Sequence, residues 1–510
     1  MLSKVGKIVG VLIILGISIW MTKSYIYQNT GETKEFKYHW DERLWVSASV
    51  ADYHMFFKGY QRDFTDMDSW FYTYAIQEGI DTLKMSKQEK QWYDRNMWTA
   101  GWKAHTIGKY FMGFAAVNFG GKTNPQGYFY RWDKPNPLDK GKAPGSDTPD
   151  NLVQLARWPN SIMNILTIFL VLFIGWRYFN FLVGFVGALW LSLNKNLFQV
   201  SNMAGVDGGG LFFSTLTIAL ALIYLENFRK PERTKLVYLL SVLIGISFPI
   251  AVGWKFSAAL VGYIAIGVFG LLALILFFQY INPPVEKPKV VAPTAVNKGK
   301  KALARAVNPI KDMTKVKAYR ADIAKLFVKM GISGAIIAVL TWVIFIYSNP
   351  ILYSQPLKKV KVINESVDEF FKRRAIADGH YKMSKDKTYA TQILLKRNFV
   401  VEDAKSTYHG TIGTYLKFKN NFLDGLLFVI GFIFLSLASL KTFKEGIVNP
   451  SMLLLISTSV LFYGTIGFLW ADYNRYYIPI YPMVALVMGF GIWKIVEFVK
   501  GKIKPKVIAA

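Results

Sequence analysis

Asp41 and Glu42 stand side by side, and about sixty residues further on comes His105-Thr106-Ile107-Gly108-Lys109. A carboxylate couple can take a proton from a hydroxyl once one of its oxygens lies within hydrogen-bond reach. A His/Lys cluster can do the complementary work of balancing negative charge that builds on a leaving group. Further along, Arg157, Asp207, Lys255 and Arg475 add three cations and a carboxylate to the set. Each also has a plain structural reading. Asp41 and Glu42 suit the N-terminus of a helix expected over Leu44–Phe57, where the dipole favours acids. His105 reads as a surface residue and the lysines as anchors snorkelling to the membrane surface. Gly208–Gly210 reads either as an anion-binding nest or as a tight turn before a helix.

The elements that must position these residues are membrane spans. The 510 residues are 52% hydrophobic and 16% aromatic, with a mean hydropathy of +0.25. That composition excludes a soluble enzyme and suits a polytopic membrane protein. A helix needs about 17 to 25 apolar residues to span a bilayer core. Ten runs approach this: Gly6–Met21, Ile162–Arg177, Phe181–Val200, Leu211–Leu225, Leu236–Val252, Ala258–Tyr280, Met330–Tyr347, Phe422–Leu440, Met452–Trp470 and Ile478–Val499. The expected fold is therefore all-α, with about ten transmembrane helices. Lys4 and Lys7 precede the first run as in a signal peptide, but the bulky Lys23-Ser24-Tyr25-Ile26-Tyr27 that follows predicts a retained anchor.

Lys and Arg orient the spans, because short loops rich in them stay cytoplasmic. With the N-terminus inside, 177–180, 226–235, 282–329, 441–450 and 500–506 are cytoplasmic, and every one carries basic residues. The stretch 282–329 is Pro-, Ala- and Lys-rich, with Glu286, Asp312 and Asp322 as its only acids. Its first half reads as a disordered linker, and Asp312–Lys329 as a basic amphipathic helix on the anionic leaflet. Topology thus explains most of the net charge of +28, and no nucleic-acid partner is expected. The division that follows is a membrane module over 1–282 with a large outer loop at 23–160, a basic segment at 283–329, and a second membrane module over 330–510 with an outer loop at 349–421. Loops of such length are usually functional. Tyr110–Phe119 is too short to span and is expected to lie as an interfacial or re-entrant helix. The absence of Cys removes thiol chemistry and Cys-ligated metal sites.

In this arrangement the ionisable residues gather on one outer face. Asp41, Glu42, His105 and Lys109 fall in the first loop, Arg157 ahead of the second span, Asp207 at the outer start of the fourth, Lys255 between the fifth and sixth, and Arg475 before the tenth. Charges at membrane depth are costly, and several converging on one face outweigh the anchor reading of each alone.

The order of these pieces resembles the GT-C glycosyltransferases, specifically the polyprenyl-phosphate-sugar-dependent group that contains the protein O-mannosyltransferases and the lipid A aminoarabinose transferase. Asp41-Glu42 matches the group's Asp-Glu pair after the first span, and His105-Thr-Ile-Gly-Lys-Tyr its His-Pro-Pro-Leu-Gly-Lys stretch. Ala156-Arg-Trp-Pro-Asn-Ser matches the start of its second span, and Ala204-Gly-Val-Asp-Gly-Gly-Gly-Leu-Phe-Phe its Leu-Asp-Ala-x-Leu-x-Phe-Phe run. Gly253-Trp-Lys and Arg475-Tyr476-Tyr-Ile-Pro-Ile-Tyr-Pro fit the later Lys and Arg-Tyr motifs. Two departures stand out: Thr106-Ile107 replaces the Pro-Pro pair, and about forty extra residues, Gln61–Lys103, separate the carboxylates from the His/Lys cluster. The 349–421 loop also carries no sugar-binding repeat domain.

The resemblance implies an inverting glycosyltransferase that moves a sugar, mannose or similar, from a polyprenyl-phosphate donor to a hydroxyl on protein Ser/Thr, or alternatively on a lipid or glycan. Asp41 would be the base and Glu42 would position it or the acceptor, while Lys109, Arg157, Lys255 or Arg475 would offset charge on the departing phosphate. His105, Asp207 and Tyr476 join the substrate-binding set by position in the motifs. A divalent metal is compatible with these residues but not required by them, because the carboxylates are few and the five His scattered. Of the readings from other classes, a transporter or flippase of a lipid-linked anion should expose its charges to both sides in turn. A scaffold would not need ionisable residues at so many span ends.

Overall fold

The computed structural model describes residues 3–27, 40–60, 106–125, 130–131, 145–146, 148–205, 207–282, 309–349, 357, 385–399, 422–444, 447–467 and 477–503. The chain is an all-α polytopic membrane protein. Among the described residues nine helices are long and apolar enough to cross a membrane, or ten if one bent pair is counted as a span. The helices are α1 (Lys4–Ile26), α2 (Trp40–Phe57), α3 (Thr106–Phe119), α4 (Asp150–Tyr178), α5 (Phe181–Ser192), α6 (Lys195–Ser201), α7 (Asp207–Phe228), α8 (Thr234–Trp254), α9 (Leu260–Ile281), α10 (Pro309–Tyr347), α11 (Lys387–Phe399), α12 (Phe422–Lys444), α13 (Pro450–Gly467) and α14 (Tyr481–Ile503). The described β-structure is one antiparallel pair of two-residue strands, Tyr130–Arg131 against Gly145–Ser146.

Side-chain contacts fix the relative direction of α4, α7 and α8. Asn160 of α4 meets Gly209 of α7 near one end, and Arg177 meets Glu226 near the other, so these two helices run parallel. Trp254, the last residue of α8, packs on Gly209, so α8 runs back. The starts of α4, α7 and α9 therefore lie at the same end as the finish of α8, α10 and α13. The largest apolar cluster surrounds α14, with Val484 and Leu486 packed among Val171 of α4, Val183 of α5 and Phe198 of α6. A second joins Tyr224 and Phe228 of α7 to Val237, Leu272 and Ile323 at the opposite end. A third ties Val46 and Val50 of α2 to Met112 of α3 and Val153 of α4. Outward faces carry exposed apolar residues such as Leu12, Ile266 and Tyr463, as lipid-facing surfaces do.

Four boundaries differ from the sequence expectation. The second span begins at Asp150 rather than Ile162, because Pro159 sits inside a helix that continues through it and whose polar first turns hydropathy does not register. The expected span Phe181–Val200 is two helices bent by 62°. Asn194 stops the first and caps the second, its side chain accepting from Leu197 N–H. α2 starts at Trp40, so Asp41 and Glu42 lie in its first turn and not before it. Lastly, α10 runs unbroken across Lys329–Met330, so the basic helix expected over Asp312–Lys329 and the span after it are one element. No Gly or Pro separates the two segments, and Lys329 is buried with its Nζ donating to the Phe228 and Lys230 carbonyls at the end of α7. From Lys329 to Tyr347 the helix rises about 27 Å, close to a bilayer core. The expected linker over 283–308 lies outside the described residues.

Candidate functional site

Three buried or nearly buried ion pairs stand at the end of the bundle where α4, α7 and α9 begin. The first joins α2 to α4. Arg157 Nε and Nη2 donate to the two oxygens of Glu42 at 2.6 and 2.7 Å, with Arg157 0% and Glu42 1% exposed. Arg157 Nη1 donates to the Ile26 carbonyl at the end of α1, and Glu42 Oε1 accepts from Ala204 N–H just before α7. This knot gathers four segments at one point. Charges so far from water persist only with such bidentate geometry and added hydrogen bonds. Arg43 next door donates to the Thr148 carbonyl and to Asp150 Oδ1, so the first turn of α2 is held from two sides. Asp41 belongs to that turn, and its side chain lies outside the described residues.

The second pair is one the sequence reading did not single out. Lys109 of α3 is fully buried, its Nζ 3.3 Å from Asp52 Oδ2 on α2 and 5.7 Å from the centre of the Trp45 ring. Asp52 lies in the aromatic-rich helix expected over Leu44–Phe57, where its carboxylate did not stand out. A buried Lys on a short apolar helix needs a buried anion, and that requirement was the available signal. Nearby, His54 Nε2 lies 2.9 Å from Thr123 Oγ1. Burial lowers its imidazole below the ordinary value, and Lys58 adds to the effect.

The third pair is Asp207 with Lys255, where the first residue of α7 meets the residue that caps α8. The anion at the start of α7 also complements the helix dipole. Asn160 braces this corner, its Nδ2 donating to the Met203 and Gly205 carbonyls and its Oδ1 accepting from Gly209 N–H. Asp207 and Lys255 line a narrow pocket with Gly210, Leu211, Val261, Leu461, Ile478 and Pro479.

Trp254 sets these pairs beside one another. The indole is fully buried, and a Cβ on Gly209 would lie 2.0 Å from its Cε2, one on Gly108 2.9 Å from its Cδ1. Glycine at both positions lets one side chain lie between α3 and α7, next in sequence to Lys255 and packed on the residue before Lys109. The Gly208–Gly210 run is accordingly neither nest nor turn: all three are helical, the first turn of a helix that needs room for Trp254.

Of the expected site residues, Glu42, Lys109, Arg157, Asp207 and Lys255 are thus gathered at one end of the bundle. His105, Arg475 and Tyr476 lie outside the described residues, although the chain resumes at Tyr477 directly before pocket residues Ile478 and Pro479. Among the described residues no three His, Asp or Glu side chains converge to hold a metal ion.

No family profile matches the chain, and no curated protein does. Solved structures do. The archaeal oligosaccharyltransferase AglB from Archaeoglobus fulgidus, in complex with an inhibitory peptide and a dolichol-phosphate, is 11% identical, with a TM-score of 0.47 over 98% of this chain and 52% of that one. The Archaeoglobus fulgidus oligosaccharyltransferase in complex with Zn and sulfate is 13% identical, with a TM-score of 0.48 over 96% and 50%. The same enzyme tethered to an acceptor peptide containing the NVT sequon is 11% identical, with a TM-score of 0.45 over 98% and 51%. The chain spans about half the length of these structures.

Proposed function

We propose that this protein is a membrane-embedded inverting glycosyltransferase of the GT-C kind, which moves a hexose such as mannose, or a pentose, from a polyprenyl-phosphate donor to a hydroxyl acceptor. Protein Ser/Thr is the preferred acceptor, and a lipid or glycan hydroxyl the alternative. The observation that carries the reading is the gathering of Glu42–Arg157, Asp52–Lys109 and Asp207–Lys255 at one membrane end around Trp254. Three buried or nearly buried charge pairs are costly to assemble, and their concentration at one end supports a site that works on charge.

In this reading the donor phosphate meets the mouth of the pocket beside Asp207 and Lys255, whose free volume of about 20 Å³ is room for about one water. Lys255 meets the phosphate, with Asp207 holding its ammonium in place, and the isoprene chain lies outside the pocket against the apolar faces of the spans. As the bond between anomeric carbon and phosphate oxygen breaks, charge grows on the phosphate, and Lys255 and Arg475 stabilise it through preorganised electrostatics. Asp41 takes the proton from the acceptor hydroxyl, which attacks from the opposite face and inverts the anomeric configuration. Glu42, committed to Arg157 and Ala204 N–H, fixes the turn that carries Asp41. Lys109 and Asp52 form the wall behind it. By the Lys/Arg distribution the site faces the outside of the cell membrane.

The test is to supply the purified protein in lipid with a panel of polyprenyl-phosphate monosaccharides and polyprenyl-linked oligosaccharides, with hydroxyl-bearing peptides or lipids, and to follow released polyprenyl phosphate. Acceptor-dependent release with inverted product configuration is expected. Passage of the lipid-linked sugar across the bilayer with no bond broken would make the protein a transporter and end the transferase reading.

A further inference from the structure

At the opposite end of the bundle a cavity of about 450 Å³ opens where α4, α7, α9 and the segment before α13 meet. Its floor is apolar, formed by Leu222, Leu225, Phe228 and Leu272. Its rim carries Arg177, Arg229 and Lys230 against one carboxylate, Glu226. Arg177 Nη2 donates to Glu226 at 2.7 Å, while Lys230 stands 4.0 Å from the same carboxylate and Arg229 donates to Gln279 Oε1. Among the described lining residues three cations stand against one carboxylate. Arg177 and Lys230 keep 54% and 45% of their side chains exposed, so both heads can turn to a ligand. Lys329 holds the Phe228 and Lys230 carbonyls from behind, which gives the turn carrying two of the cations a set shape.

We infer that this cavity binds the headgroup of an anionic phospholipid, with the phosphodiester among Arg177, Arg229 and Lys230 and the first acyl methylenes over Leu222 and Leu272. The argument is one of matching shape and charge. A cationic rim over an apolar floor, sited between spans at the membrane surface, fits an amphiphile with an anionic head. It fits a free anion less well, because Leu222, Leu225, Phe228 and Leu272 line much of it, with Tyr178 and Asn449 as the uncharged polar groups beside them. The Lys/Arg distribution places this end at the cytoplasmic leaflet, where anionic lipids concentrate. The Arg177–Glu226 bridge does not oppose the assignment: it orients Arg177 across the mouth and uses the charge of Glu226 locally. The site lies a bilayer away from the ion pairs assigned to transfer and is independent of that reading.

The experiment uses the full chain, purified in a neutral detergent and loaded with phosphatidylglycerol or with phosphatidylcholine. Native mass spectrometry counts bound lipid, and thermal shift reports stabilisation. Each basic residue near a lipid surface contributes roughly a fivefold factor in affinity. Removing two by Arg177→Gln and Lys230→Gln should therefore weaken phosphatidylglycerol binding about 30-fold, while Lys325→Gln, a loss of charge from an exposed site on α10, should leave it near wild type. The charge-keeping pair Arg177→Lys and Lys230→Arg guards against misfolding and should retain most binding. Equal weakening by Lys325→Gln, or equal retention of phosphatidylcholine by the wild type, would overturn the proposal. So would glycerol phosphate or inorganic phosphate stabilising the protein as strongly as the lipid, since that would make the cavity an anion site without a chain.

Discussion

Replacing Glu42 by Gln keeps the size of the side chain and removes its charge. The carboxylate accepts from Arg157 Nε, Arg157 Nη2 and Ala204 N–H at 2.6, 2.7 and 2.9 Å. A Gln can offer its one oxygen to Nε and Ala204 N–H, but its amide then points two hydrogens at the Nη2 donor of Arg157. The guanidinium is fully buried, so water cannot replace the charge that Glu42 supplied. Breaking such a pair from one side costs about 3–5 kcal/mol, largely the desolvation of the stranded charge. Arg157→Met should cost a similar amount by stranding Glu42. The double variant removes both charges and should cost well below the sum of the two, a coupling of roughly 2–3 kcal/mol. Unfolding by SDS in mixed micelles, followed by helix content, measures all four corners of the cycle. Because the pair also holds the end of α1 and the turn before α7, Glu42→Gln should lose stability and turnover together. A variant as stable as wild type to within about 0.5 kcal/mol, or a double variant as damaged as the sum, would refute the account of Glu42 as the tie that fixes the first turn of α2.

The remaining predictions concern chemistry, packing and topology. Asp41→Asn should leave folding and donor binding near wild type while turnover falls about 10² to 10⁴-fold, the usual contribution of a general base; full activity there, with loss in Asp207→Asn, would reassign the base to the start of α7. Lys255→Gln should weaken binding of a polyprenyl phosphate by at least roughly tenfold, a charge-assisted contact of about 1.5–3 kcal/mol, and isothermal titration reads it directly. Gly209→Ala places a methyl inside the Trp254 ring and should destabilise by roughly 1–3 kcal/mol or more, with partial rescue by Trp254→Leu in the same unfolding assay. Cysteines introduced at exposed Lys122 and Lys325 lie near opposite membrane ends, so an impermeant thiol reagent should label the first in intact cells and the second only after the membrane is opened.

Much of the architecture is legible in the sequence because the bilayer imposes a simple rule: every span must hide its backbone groups in a helix and present an apolar surface about 20 residues long. Hydropathy therefore reports the spans directly, down to the short helix ending at Phe119 that could not cross. The same rule makes charges that the fold buries stand out, since Lys109, Arg157, Asp207 and Lys255 are conspicuous against apolar surroundings. What hydropathy does not contain is pairing. Nothing in the spacing joins Arg157 to Glu42 across 115 positions, or gives Lys109 its partner in Asp52, because those contacts arise only when α2 and α3 fold back on α4. Local rules mislead where a helix is kept by its neighbours: α4 runs through Pro159, and the bend at Asn194 interrupts a stretch that reads as a continuous span. The three glycines of α7 make the point most plainly. Composition marks them as a turn or a nest, whereas the space each leaves empty is set by neighbours from elsewhere in the chain: Ser201 and Asn160 at Gly208, Trp254 at Gly209 and Lys255 at Gly210.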